Sequence, residues 1–292
     1  MEIQLSLQKK NKEKNLIAII LCAGKGTRYG KFTRKIPKPL IKIKALNNIT
    51  ILHHLIRDLD NLKVFKIAVV TGYLSERIQA SLEILIKEHW NLKNKLIIVN
   101  SGEDYKRGPI FSLLSILKNK NIYKKDNVFI VFPGDTIFNI ELLKEIFSFI
   151  YENYVLIQKS PYIFYQEIQA KNLYKPDKER VNFISILESD ETKPKIKIEE
   201  IKKIDINSLP KEIWLKKIIP ILVLNYSVLE ILNKLSKNNP VEEIRELLNI
   251  YLKQNQKLIP FKIESKKQFY DIDTFEDLNY FNQLEREKKG GQ

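Results

Sequence analysis

Leu16-Ile17-Ala18-Ile19-Ile20-Leu21-Cys22-Ala23-Gly24-Lys25-Gly26-Thr27-Arg28-Tyr29-Gly30, followed by Pro37-Lys38-Pro39-Leu40, decides how this chain folds. The apolar run has no polar alternation, which predicts a strand buried on both faces. The loop after it is built of small residues, and Gly24 and Gly26 let backbone N–H groups approach an anion while Lys25, Arg28 and Lys38 supply positive charge. The combination predicts a triphosphate cradle. The bland alternative for the same residues is a glycine-rich turn beside solvated lysines.

Two other glycine loops are excluded by position. A dinucleotide fingerprint needs a glycine three residues after Gly26, where this chain has Tyr29, and the second apolar strand ends in Thr71-Gly72 rather than an acidic ribose ligand. A Walker loop needs a glycine five residues after Gly24, again Tyr29, and Gly30-Lys31 leads into Phe32 instead of Ser or Thr.

Working outward, strand and helix patterns alternate. Ile51, Leu52, Leu55, Ile56 and Leu59 have helical spacing, and Phe65 to Val70 reads as a strand. Ser75 is placed to cap a helix reaching about Glu88. Leu96 to Val99 reads as a strand, Gly108 to Lys118 as a helix, and Val128 to Phe132 as a strand ending in Pro133-Gly134-Asp135-Thr136. Such alternation predicts an α/β domain with a parallel sheet flanked by helices. Asn139 is a plausible N-cap for a helix over Ile140 to Ile150.

Beyond Tyr154 the pattern changes. Runs at Tyr154 to Gln158, Val181 to Leu187, Ile196 to Ile201 and Ile218 to Leu224 predict strands added antiparallel to the sheet. Helices are expected over Val228 to Leu235 and Val241 to Lys253, the second opened by Pro240. A strand over Leu258 to Ile263 and a final helix ending near Leu284 follow. We read residues 1–15 as a polar extension, 16–284 as one catalytic domain and 285–292 as a disordered tail.

The glycine loop together with Pro37-Lys38-Pro39-Leu40 resembles the signature of the nucleotidyltransferase superfamily, which includes sugar-1-phosphate nucleotidylyltransferases, phosphocholine cytidylyltransferases and molybdenum cofactor guanylyltransferases. The resemblance implies a Rossmann-like mixed, mainly parallel sheet of the GT-A-like kind. It also implies that Ala23, Gly24, Lys25, Gly26 and Thr27 bind the nucleotide and that Arg28 and Lys38 are catalytic. Asp135 matches the position that holds Mg²⁺ in the family, and the run Asp271-Ile272-Asp273-Thr274 matches a second acidic motif whose later aspartate, Asp273, is the metal position.

Each acid has a plainer reading. Pro133-Gly134-Asp135 is also an ordinary turn, and Asp273 with Glu276 is also a capping box for the last helix. Asp271 and Asp273, separated by one residue, would share a face of an extended strand. For the base, Thr71-Gly72-Tyr73 resembles loops of cytidylyl- and sugar nucleotidyltransferases, and Gly108-Pro109 resembles an element of the guanylyltransferases, so Gly72 and Gly108 join the expected nucleotide site and the base stays open.

The expected reaction is Mg²⁺-dependent transfer of a nucleoside monophosphate from a nucleoside triphosphate to a phosphorylated small molecule, with release of pyrophosphate. A phosphate monoester is largely dianionic at neutral pH, so the nucleophile needs positioning more than a general base. Sugar nucleotidyltransferases usually carry a Glu-Lys-Pro element where this chain reads Ile198-Glu199-Glu200-Ile201-Lys202-Lys203-Ile204, a departure that sets a hexose phosphate acceptor against an alcohol, polyol or aminoalcohol phosphate or a pterin cofactor. The competing class is a noncatalytic nucleotide-sensing subunit, which commonly lacks one of the four charged residues present here.

Composition narrows the remainder. The 292 residues, 44% hydrophobic, suffice for a sizeable core, and no apolar run approaches the roughly 18 to 20 residues of a membrane span. With no hydrophobic signal core near the N-terminus, a cytoplasmic location is expected. The single cysteine, Cys22, excludes an internal disulfide and a cysteine metal cage, and His53, His54 and His89 lack metal-ligand spacing. The net charge of +15 favours phosphorylated ligands, and in the absence of nucleic-acid motifs no specific nucleic-acid partner is expected.

Overall fold

The computed structural model describes residues 14–173, 183–190 and 197–290. The opening run forms strand β1 (Leu16–Leu21), and a 3-10 segment over Thr27–Arg34 carries the rest of the signature. A small hairpin of β2 (Lys42–Ile43) and β3 (Ile49–Thr50) leads into α1 (Ile51–Asn61), whose N-cap Thr50 accepts from the His53 N–H. Then come β4 (Lys66–Thr71), α2 (Ser75–Glu88), β5 (Leu96–Asn100), α3 (Pro109–Leu114), β6 (Val128–Pro133), β7 (Thr136–Phe138) and α4 (Ile140–Glu152). As expected, Asn139 caps α4, accepting from the Glu141 N–H.

Strands β5, β4, β1 and β6 lie side by side in that order and run parallel. Chain order reverses beside β1, so a crevice opens beyond the carboxyl ends of β1 and β6, the usual ligand position in such sheets. Residues alternate between the two faces. Leu16, Ala18 and Ile20 pack with Leu55 of α1, Leu82 of α2 and Ile146 of α4, whereas Ile17 and Ile19 pack with Ile110 and Leu113 of α3. Every residue of β1 from Leu16 to Ile20 is fully buried, which explains its unbroken apolar run.

The second half adds the antiparallel part. A short helix α5 (Tyr154–Ile157) precedes β8 (Tyr162–Gln169), β9 (Phe183–Asp190), β10 (Lys197–Asp205) and β11 (Trp214–Asn225). After these come α6 (Tyr226–Asn238), α7 (Ile244–Lys253), β12 (Ile259–Lys262), β13 (Phe269–Asp271) and α8 (Phe275–Gly290). Strand β11 joins the halves. It pairs antiparallel with β6 through Leu222–Asn225 and with β8 along most of its length, and touches β9 at Lys217↔Ile186. Among the described residues the main sheet has nine strands and is mixed, as expected.

Several boundaries differ from the sequence reading, each for a local reason. The run Tyr154 to Gln158 is helical, because Tyr154 and Ile157, one helical turn apart, are buried while Val155 and Leu156 face out. The helix after Pro240 starts at Ile244: the Glu242 carbonyl accepts from the Ile110 N–H, which keeps that segment extended. Leu74, in the left-handed region, holds the N-cap position of α2, so Ser75 is its first residue. Helix α3 stops at Leu114 and tightens into a 3-10 turn over Ser115–Lys118. The last helix continues to Gly290 rather than ending near Leu284, so most of the segment read as a disordered tail is helical. Residues 1–13 of the polar extension, 181–182 of the predicted strand Val181 to Leu187, Ile196 of the predicted strand Ile196 to Ile201, and 291–292 lie outside the described residues. Among the described residues no helix is long and apolar enough to cross a membrane.

Candidate active site

Gly26 adopts φ 63° and ψ 35°, a left-handed conformation that turns the chain from β1 into the Thr27–Arg34 segment. A Cβ there would lie 3.1 Å from Lys38 Cγ and 3.2 Å from Thr33 Cγ2, so the glycine also makes room for the Lys38 stem. Thr33, itself buried, donates from its hydroxyl to the Gly26 and Gly30 carbonyls at 3.0 Å each and fixes the loop.

Asp135 is brought in by Gly134. The Gly134 N–H donates to the Leu21 carbonyl at 3.0 Å, and a Cβ at this position would stand 2.5 Å from Cys22 Sγ. Only glycine lets the end of β6 lie this close to the loop after β1. Cys22 is correspondingly a packing residue; burial, and then the Asp135 charge, push its thiol pKa well up.

Asp273 arrives from the far end of the chain. Strand β13 pairs antiparallel with β7, Asp271 opposite Thr136, and the Ile272 N–H donates to the Asp135 carbonyl at 3.1 Å. The capping box of α8 is displaced by one residue from its expected place: Thr274 Oγ1 accepts from the Asp277 N–H, and Asp277 Oδ2 accepts from the N–H groups of Asp273 and Thr274. The Asp273 side chain is therefore not used in capping.

These elements converge on Lys38, whose ammonium donates to Asp135 Oδ2 at 2.8 Å and to Asp273 Oδ1 at 2.7 Å. Arg28 donates to the other oxygen of Asp273. Lys38 is only 4% exposed. Burial alone would lower its pKa, but the charges of Asp135 and Asp273 outweigh it and hold the value above the ordinary lysine range. The site thus carries a fixed positive charge between two acids.

A cavity of about 590 Å³ opens at this point. Of the residues expected at the nucleotide, Ala23, Gly24, Gly26 and Thr27 line it, together with Arg28, Lys38 and Asp135. Lys25 and Gly108 line an adjoining hollow shared with Arg28, Lys106 and Arg245. Gly72 is covered by the Tyr105 side chain, whose Cβ and ring Cγ lie 2.7 and 2.8 Å from where a Gly72 Cβ would be, and Tyr105 in turn lines both cavities. Gly108 has φ 115° with the Glu242 carbonyl 2.6 Å from its absent Cβ, so its glycine character serves close packing.

Asp271 accepts a 2.6 Å hydrogen bond from Thr136 Oγ1 and lines the cavity. Desolvation by the surrounding protein raises its pKa, Thr136 lowers it, and the nearby Asp135 charge raises it further; the net shift is upward. Asp271 and Asp273 thus both reach the site, Asp271 held by a threonine and Asp273 by two cations. Residues that sequence reasoning missed are Tyr105, Arg245 and Lys217. Lys217 lies on β11 with its ammonium 4.2 Å from the centre of the Phe269 ring. None of His53, His54 and His89 lines the cavity.

Comparison with known proteins bears on the family and the fold. The bifunctional protein GlmU of Methanococcus maripaludis is 36% identical over 142 residues, 49% of this chain and 29% of the relative, so the chain spans well under half of that protein. A protein of Bacillus subtilis (strain 168) named as a probable glucose-1-phosphate cytidylyltransferase is 30% identical over 139 residues, 43% of this chain and 52% of the relative. The solved structure of a UDP-glucose pyrophosphorylase complexed with UDP-glucose superposes with a TM-score of 0.65, covering 93% of this chain and 98% of that one at 17% identity. That is a likeness of fold. The MobA-like NTP transferase domain pattern matches residues 18–248, a span that holds the glycine loop, Lys38 and Asp135 and stops before β13. With most of its length matched, the chain belongs to the MobA-like NTP transferase domain family.

Proposed function

We propose that this chain transfers a nucleoside monophosphate from a nucleoside triphosphate to a phosphorylated small molecule, releasing pyrophosphate. The observation that carries the reading is the meeting of Lys38, Arg28, Asp135 and Asp273 at the mouth of the glycine loop. Family membership and the nucleotidyltransferase names among the relatives support it.

In the reaction an oxygen of the acceptor phosphate bonds to the α-phosphorus, the bond from that phosphorus to the bridging oxygen of the β-phosphate breaks, and pyrophosphate leaves with the electron pair. The acceptor is already largely dianionic, so no proton has to be removed. The absence of a histidine from the cavity lining is consistent with this. Arg28 and Lys38 stabilise the charge that spreads over the α-phosphate oxygens and the leaving group, while the glycine-loop amides orient the triphosphate.

The acidic residues also fit Mg²⁺. That ion is usually held by one or two carboxylates, with substrate phosphates and water completing its octahedron. Among the described residues no cluster of three or more acidic, histidine or cysteine side chains is arranged as a self-sufficient cage. Asp135 lines the cavity, Asp273 is joined to it through the Lys38 ammonium, and in this proposal these two carboxylates hold the ion. When bound it supplies charge neutralisation at the phosphates.

The test is pyrophosphate release with ATP, CTP, GTP and UTP against a panel of phosphate esters, with and without Mg²⁺. Release with one triphosphate, lowered about 100-fold or more in Arg28→Ala and Asp135→Asn, is expected. Wild-type rates in both variants would overturn the assignment.

A further inference from the structure

The wall of the cavity facing the glycine loop is unlike a sugar site. It is contributed by β8 to β11, and its polar side chains among the described residues are Ser185 and Lys217. The remainder is isoleucine, leucine and proline. Ile184, Ile218 and Pro220 on these strands, with Ile244 at the start of α7, are all half-buried and line the cavity. A branched apolar side chain at an interior sheet position is normally fully covered, as Ile219 and Ile221 are. The reason for the difference is the sheet itself: on the edge of β11 away from β8, β6 pairs only from Leu222 onward and β9 at Lys217, so along that edge the intervening stretch borders the cavity instead of a second strand.

We infer that the acceptor is a phosphate monoester with a short hydrocarbon body and few hydroxyl groups, seated with its apolar part against Ile184, Ile218 and Pro220. This rests on the nucleotidyl-transfer reading above and narrows its acceptor. Positive charge for the phosphate comes from Lys217, which stands over the Phe269 ring near Asp271. A hexose phosphate presents several hydroxyls to a wall whose one side-chain hydroxyl among the described residues is Ser185. Each hydroxyl buried without a partner weakens binding by about tenfold, so a hexose is disfavoured by about 100-fold or more. Each methylene placed against the wall strengthens binding by about fourfold.

A chain-length series tests the inference. Methyl, ethyl, propyl and butyl phosphate are compared with glucose 1-phosphate, by kcat/KM for pyrophosphate release and, independently of turnover, by calorimetric binding to the wild-type protein. Expected is a rise of about threefold to fourfold per methylene in both readouts, with glucose 1-phosphate at least about 100-fold below butyl phosphate. Ile218→Asn and, separately, Ile184→Ser flatten the series. A flat series in wild type, or glucose 1-phosphate binding as well as butyl phosphate, overturns the inference while leaving nucleotidyl transfer intact. A steep binding series without pyrophosphate release from any triphosphate supports the apolar acceptor wall and overturns the transfer reading instead.

Discussion

Lys38→Met separates the two roles that meet at its ammonium. The methionine keeps the stem that passes Gly26, where the neighbouring contact is to Lys38 Cγ, and removes only the charge shared by Asp135 and Asp273. In the nucleotide-free protein the ammonium is the counter-ion of both carboxylates, so a divalent ion held by the same pair must displace it. Two hydrogen bonds to charged groups are worth about 1.5 to 3 kcal/mol each. The carboxylates are 33% and 31% exposed, so water recovers part of that, and about 2 kcal/mol remains as the cost of displacement. That corresponds to a Mn²⁺ dissociation constant about 30-fold lower in the variant. Mn²⁺ is titrated into nucleotide-free protein and the free ion is read by electron paramagnetic resonance. Turnover should move the opposite way, falling about 100- to 1,000-fold as transition-state charge loses its donor. Mn²⁺ binding that is unchanged or weaker in Lys38→Met refutes the displacement reasoning.

Three further outcomes are expected. Gly134→Ala forces a methyl group within 2.5 Å of Cys22 Sγ and 2.8 Å of the Leu21 carbonyl, and should cost about 1 to 3 kcal/mol in urea unfolding; an unchanged midpoint would show that β6 can move away freely. Asp277→Ala removes the acceptor for the Asp273 and Thr274 N–H groups, so stability should fall by about 1 kcal/mol and turnover should fall with it; unchanged stability and turnover would show that this cap does not position Asp273. His53, bonded to Ser81 Oγ at 2.9 Å, is kept by burial at a pKa below its ordinary value. The unfolded chain binds that proton first as pH falls, so stability should be complete above about pH 6.5 and decline from there down through the folded-state pKa; His53→Gln should flatten this part of a pH series of urea midpoints.

How much was legible in the sequence follows from how local each cause is. The loop from Cys22 to Arg28, the helix over Ile51–Asn61 and the Asn139 cap are set by residues a few positions apart, and the structure has them where the pattern put them. Asp135 reaches Lys38 because Gly134 touches the loop after β1, a contact between segments more than one hundred residues apart that the motif only implied. Lys217 and Tyr105 could not be read at all. Lys217 depends on the register of β11 against β9 and β8, and Tyr105 on a tertiary contact with Gly72. Strand β8, Tyr162–Gln169, was missed because its first four residues are all buried between β11 and β12, which removes the alternation expected of an antiparallel strand. The capping box was misplaced by one residue because Asp273 and Thr274 are both good caps, and only the ion pairs to Lys38 and Arg28 decide between them.

The pairing of β13 with β7 has a consequence for synthesis of the chain. During translation the glycine loop, Lys38 and Asp135 emerge early and can pack as soon as β6 joins β1, yet Lys38 then meets a single carboxylate. Its second counter-ion leaves the ribosome only after β8 to β12 have been made, when the segment after β12 lies down beside Thr136. A nascent protein therefore has its parallel strands in place before it has a balanced centre, and β13, made well after them, is the strand that completes it.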